Sequence, residues 1–215
     1  MAANELALAN QALLNLGEGR PLTSSDGTIA NIVETTDPRT TALIAFYTQG
    51  RKMTMRAWPW PFAVKSALLA TPTAGTGLIW VDQWDFAYAI PADCLQALRF
   101  YTQYGPEDSY PPRFVIGVNA GAEVIFTDVI ATEANLEYIE DISVTTRFSE
   151  HFDAALAWRL AYDISMPLSV DRELREFALK QWLTALSVAQ RVEGNQATPN
   201  PTFLSDGSFT QSRYI

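Results

Sequence analysis

The chain has 215 residues, 48% hydrophobic and 18% charged, with a net charge of −9 and a pI near 4.6. That is the composition of an ordinary globular protein, and its acidity argues against tight nucleic-acid binding, which needs a basic face. At this length about 70% of the unfolded surface is buried on folding, so neither a metal nor a disulfide is required.

The N-terminus has no basic stretch ahead of an apolar core, and no run of about 18 apolar residues occurs. The expectation is synthesis in the cytoplasm with no membrane binding. The single cysteine, Cys94, lies among apolar neighbours and reads as a small core residue.

The first helix is expected from Asn4 to Leu16, with Leu6, Ala9, Leu13 and Leu16 on one stripe and Gly17 ending it. Residues 18–36 are polar and rich in Gly, Ser and Thr, with Ser24-Ser25-Asp26-Gly27 as a turn. Asp37-Pro38 starts a second helix: the carboxylate caps free N–H groups and proline is preset for the first turn. Leu43, Phe46, Tyr47, Met53 and Ala57 follow at helical spacing, and Pro59 stops the helix.

Four of the six tryptophans fall between Ala57 and Leu98, in the clusters Trp58-Pro59-Trp60-Pro61 and Trp80 to Trp84. They predict a rigid buried junction where helix gives way to sheet. Strand periodicity follows in Phe86, Tyr88 and Ile90, then in Phe114, Ile116 and Val118. Val124 and Phe126 come next, after the hairpin loop Asn119-Ala120-Gly121. Leu136, Tyr138, Ile142 and Val144 make one face of a last strand, with Glu137, Asp141 and Ser143 on the other.

Ser149 caps a third helix bearing Phe152, Leu156, Leu160 and Ile164, which ends near Pro167. A longer one, capped by Ser169 or Asp171, carries Leu174, Ala178, Trp182, Ala185, Ala189 and Val192 and is closed by Gly194. Beyond Asn195 the chain is polar and extended, yet it keeps Phe203, Leu204, Phe209, Tyr214 and Ile215, anchors that order on a partner or dock on their own subunit. The expected fold is α+β. A bundle of four main helices (1–62 and 148–194) is interrupted by a β-rich insertion (63–147) and followed by an extended C-terminal arm (195–215).

Charge is unevenly placed. Residues 105–146 hold eight acids and one base, Arg113, whereas residues 51–65 hold Arg51, Lys52, Arg56 and Lys65 and no acid. Either both are solvated surface, or a basic face with Arg51, Lys52 and Arg56 meets an acidic face with Glu137 and Asp141 on a neighbouring copy.

Catalytic chemistry has little to draw on. One histidine, His151, one distant cysteine and the absence of a Gly-rich phosphate loop or a nucleophile elbow leave no metal, cofactor or triad pattern. Glycan hydrolysis or glycan binding is the surviving alternative. It would use Asp82 and Asp85 beside Trp80 and Trp84, or Glu107 and Asp108 beside Tyr104 and Tyr110.

Several runs together resemble the tail tubular protein A family of short-tailed bacteriophages. They are Ala12-Leu13-Leu14-Asn15-Leu16-Gly17 with Ser25-Asp26, then Arg51 ahead of Ala57-Trp58-Pro59-Trp60-Pro61-Phe62-Ala63. Trp84-Asp85-Phe86-Ala87-Tyr88-Ala89-Ile90-Pro91-Ala92-Asp93-Cys94-Leu95 follows. Phe152-Asp153-Ala154-Ala155-Leu156-Ala157, Leu160-Ala161, Met166-Pro167-Leu168 and the terminal Arg213-Tyr214 complete the set.

The resemblance implies a non-enzymatic virion protein of the neck and tail, a homo-oligomeric ring that is twelvefold in the family. Its implied partners are the portal protein, the tail nozzle protein (tail tubular protein B) and, in some relatives, tail fibres. DNA would pass through the lumen without specific binding. In this scheme Phe203, Leu204, Phe209, Arg213 and Tyr214 would anchor the arm on the portal.

Overall fold

A computed structural model describes residues 4–70, 84–102, 112–119, 121–130 and 132–197. Among them are four α-helices and two small three-stranded antiparallel sheets, a mixed α+β protein.

Helix α1 (Glu5–Asn15) is capped by the Asn4 side chain, which accepts from the Ala7 N–H. Helix α2 (Pro38–Arg56) is capped by Asp37, with proline in its first turn as expected. Helix α3 (Glu150–Ser165) is capped by Ser149. Helix α4 (Arg172–Ala197) runs three residues past Gly194, which therefore does not end it.

Helix α3 packs against α1, α2 and α4. Phe152, Ala155, Leu156, Leu160, Ala161 and Ile164 are all fully buried, the pattern of a helix surrounded by protein. The polar stretch after α1 also enters this core: Leu22, Ile29 and Ile32 are buried. Asp26 shapes their turn, its carboxylate accepting from the Thr28 N–H at 2.9 Å and from Asn31 at 2.7 Å. Met53 and Val192, expected inside, are exposed on the outer faces of α2 and α4.

The strands are β1 (Val64–Leu68), β2 (Phe86–Ala89), β3 (Cys94–Tyr101), β4 (Phe114–Asn119), β5 (Ala122–Thr127) and β6 (Asn135–Glu140). The first sheet has the order β1-β6-β3 and the second β2-β5-β4. The β4–β5 hairpin pairs Asn119 with Ala122, and Gly121 takes the positive φ of +85° that the tight loop requires.

The last strand stops at Glu140. Ile142 is buried beyond its end and Val144 is exposed, so these two do not share the face of Leu136 and Tyr138.

Three apolar clusters hold these parts. The largest unites all four helices with Trp60, Ala63, Ile139 and Ile142. The second lies between the sheets and contains Tyr88, Phe100, Ile125, Leu136 and Tyr138. A small third, Ala87, Val124 and Phe126 with Trp84 packed on it, covers the far face of the second sheet.

The tryptophan–proline run forms the junction expected of it. The Trp60 ring is buried edge-on to Phe152, with centroids 4.9 Å apart, and Phe62 and Phe148 complete the aromatic cluster. The indole N–H is satisfied by the Thr54 carbonyl at 2.9 Å.

Candidate functional site

One set of charged side chains lies where α2 meets the end of β6. The last turns of α2 carry Arg51 and Lys52 towards Asp141, the residue after β6. Arg51 is only 6% exposed. Its guanidinium sits 2.8 Å from Asp141 Oδ1 and donates to the Ile142 carbonyl, while Lys52 Nζ lies 2.9 Å from Asp141 Oδ2.

Burial pushes the Asp141 carboxyl up, but its bonds to Lys52 and Arg51 outweigh that and hold it below the usual carboxylate range. A buried arginine demands such partners, because an unpaired charge away from water is strongly unfavourable.

A second network runs across the outside of the first sheet. Lys65 bridges Asp93 at 2.6 Å and Glu140 at 3.1 Å. Arg147 reaches Glu140 at 3.1 Å and donates to the Phe62 carbonyl at 3.0 Å. The Tyr138 hydroxyl donates to Asp93 at 2.9 Å. The Lys65 ammonium holds the Asp93 carboxyl low, and the same bond raises Lys65. Lys65, Asp93 and Arg147 are partly solvated, so their ion pairs orient the strands more than they stabilise them.

The charges predicted for a subunit interface therefore divide. Arg51, Lys52 and Asp141 pair with one another inside one chain, and Arg51 is buried in that contact. Arg56 remains exposed, with its Nε donating to the Leu95 carbonyl at 3.2 Å. Glu137 stands on β6, in register with Ser66 on one side and Arg99 on the other.

The arm residues Phe203, Leu204, Phe209, Arg213 and Tyr214 lie outside the described residues, as do Trp80, Asp82, Tyr104, Glu107, Asp108 and Tyr110. Trp84 is spent partly on packing over Ala87, Val124 and Phe126, and the exposed Asp85 has its backbone N–H donating to Asp128 at 3.3 Å. Cys94 packs at the edge of the inter-sheet core, and burial raises its thiol.

A groove of about 390 Å³ runs between α1 and α3, lined by Ala7, Gln11, Asn15, Asp153, Ala157 and Trp158. Asp153 Oδ1 is sealed from solvent, with no hydrogen-bond partner among the described residues. Burial, helped by the nearby Glu150, raises its carboxyl to about 6. Asp153 occupies an ordinary first-turn position on its helix, so only the packing of α1 across it creates this environment.

Among the described residues no group of three His, Cys, Asp or Glu could hold a metal ion. What the arrangement offers instead is surface. Ile44 and Met53 are exposed on α2, and Phe177, Leu183, Val188 and Val192 on α4. Compared with protein-family models and with curated proteins, the sequence matches none.

Proposed function

We propose that this chain is a non-enzymatic structural protein of a short-tailed phage, a ring-forming adaptor that joins the portal to the tail nozzle and lines part of the DNA ejection channel. The observation that carries the reading is the exposure of large apolar side chains on the outer faces of both α2 and α4, together with the tail tubular protein A-like runs of the sequence. Both helices pack on α3, and a head-to-tail ring needs two different patches on each subunit.

In this reading the four helices form the bundle whose neighbours stack around the ring, and the two sheets form an insertion directed to the nozzle. The arm, residues 195–215, carries Phe203, Leu204, Phe209, Arg213 and Tyr214 to the portal as ordering anchors. The net charge of −9 suits a conduit for DNA, because like charge keeps the polyanion from adhering to the wall. The ring is a dodecamer, and the protein's place is the neck of the virion.

The test mixes purified full-length chain with purified portal protein and images the product by electron microscopy. Expected is a ring of regular copy number on one face of the portal, lost when residues 195–215 are removed and weakened by charge on α4, as in Val188→Glu. Failure of the intact chain to sediment with the portal at millimolar subunit concentration overturns the reading.

A further inference from the structure

Among the described residues the two sheets have four edge strands, and they are not protected alike. On β1 the exposed Lys65 interrupts the edge. Strand β3 carries Arg99 and two register shifts against β6. Strand β2 is four residues long. Charge, irregularity and shortness are the usual means by which an edge avoids pairing with another chain.

Strand β4 has none of them. Its six residues, Phe114-Val115-Ile116-Gly117-Val118-Asn119, include no charge and no proline, and its pairing with β5 is regular throughout. Among the described residues it pairs with β5 alone. Val115 is 47% exposed, Ile116 46% and Val118 65%, large β-branched side chains on both faces of one edge.

We infer that β4 is a homotypic docking edge: two copies of this chain pair their β4 strands antiparallel about a twofold axis, making one six-stranded sheet. The occupant is argued from self-complementarity. In an antiparallel pair, opposite residues share a face of the sheet. An axis normal to the sheet at Ile116 sets Ile116 against its own copy, Phe114 against Val118, and Val115 against Gly117.

Each face is then matched within itself. The face of Phe114, whose ring stacks 5.7 Å from Phe100 in the inter-sheet core, receives the aromatic–β-branched pairs that stabilise sheets. On the other face Val115 comes opposite Gly117, over which the Phe126 ring already lies. Arg113 falls opposite Asn119, so no like charges meet. The contact is isologous and cannot close a ring by itself, so it is separate from the helical surfaces proposed above and does not depend on them.

The experiment weighs the free full-length chain by analytical ultracentrifugation across micromolar to millimolar concentration. Expected is a concentration-dependent dimer whose dissociation constant rises roughly tenfold or more in Ile116→Lys and in Val118→Lys. Val33→Lys, at a position equally exposed but far from β4, should leave it unchanged. On a Cys94→Ala background, Ile116→Cys should oxidise to a covalent dimer and Val115→Cys should not, because only the former meets itself at the axis.

A wild-type chain that stays monomeric throughout, or Lys variants that dimerise as well as the parent, overturns the proposal. Loss of rings on the portal in those variants without any free dimer also overturns it, since β4 would then serve a head-to-tail contact. A dimer lost while rings persist sustains it.

Discussion

The two sheets are of equal strand number and are built from the same antiparallel pairing, but they are held by different forces. The first is joined to the helices by apolar and ionic contacts at once: Ile139 and Ile142 enter the helical core, and Arg51, Lys52 and Arg147 tie its ends. The second touches the first through Tyr88, Ile125 and Phe114 and is otherwise covered by a small cluster of its own. One sheet is thus part of the helical body, and the other is a layer added to it, with one edge unpaired among the described residues. Local stability should follow that division, because segments with few buried contacts open first.

The sharpest way to break the contrast is at the junction. Trp60→Ala should cost about 4 kcal/mol in chemical denaturation, the usual penalty for emptying a buried tryptophan site. Trp84→Ala, whose ring is only partly buried on the second sheet, should cost about 1–2 kcal/mol. Equal losses would mean that both sheets are integrated alike.

Next in size is the ionic tie. Arg51→Met should cost about 3 kcal/mol, since it leaves Asp141 and the Ile142 carbonyl short of a partner in a buried place. Lys65→Met, in the more exposed network, should cost clearly less than Arg51→Met. Urea titrations of the two variants and the double mutant separate these effects.

Within the second sheet, Gly117 lies over the Phe126 ring so closely that a Cβ would come 2.8 Å from it. Gly117→Ala should therefore destabilise by about 1–2 kcal/mol. Hydrogen exchange should rise in β4 and β5 and stay unchanged in the first sheet.

The smallest effect is on pH dependence. Asp153 is raised to about 6 when folded and returns to about 3.9 when unfolded. Between those values the native state holds the extra proton, so this group makes stability fall as pH rises from about 4 to about 6. Its half-burial limits the change to about 1 kcal/mol.

Asp141 and Asp93 are held low and act oppositely, contributing above the unfolded carboxyl value and losing that contribution as pH falls through their folded values. Thermal melts from pH 4 to 7 should lose the decline between about pH 4 and about pH 6 in Asp153→Asn. An unchanged slope there would show that Asp153 is solvated.

Particular elements show why some of this was legible. Asp37-Pro38 and Ser149 are local signals and lie at helix starts. Strand β3 was missed because its bulges break the alternation: Leu95 and Leu98 pack on the helical core, while Cys94, Ala97 and Phe100 pack between the sheets. That spacing of three looks helical. Strand β1 was missed because a five-residue edge with Lys65 in it shows no apolar period. In the charged seam the sequence shows which residues carry charge, but the pairing of Arg51 and Lys52 with Asp141 depends on how distant segments pack.

What the sequence alone determined is what short-range chemistry decides: the α+β composition, the capped helix starts, the β4–β5 hairpin and the aromatic junction at Trp60. Tertiary structure decided which charges pair, with Arg51 and Lys52 meeting Asp141 some ninety residues away. It also decided which carboxylate, Asp153, is stranded under a neighbouring helix, and which strand edge stays unpaired among the described residues. Pairing, burial and exposure depend on what the rest of the chain brings alongside, and no local run of residues carries that information.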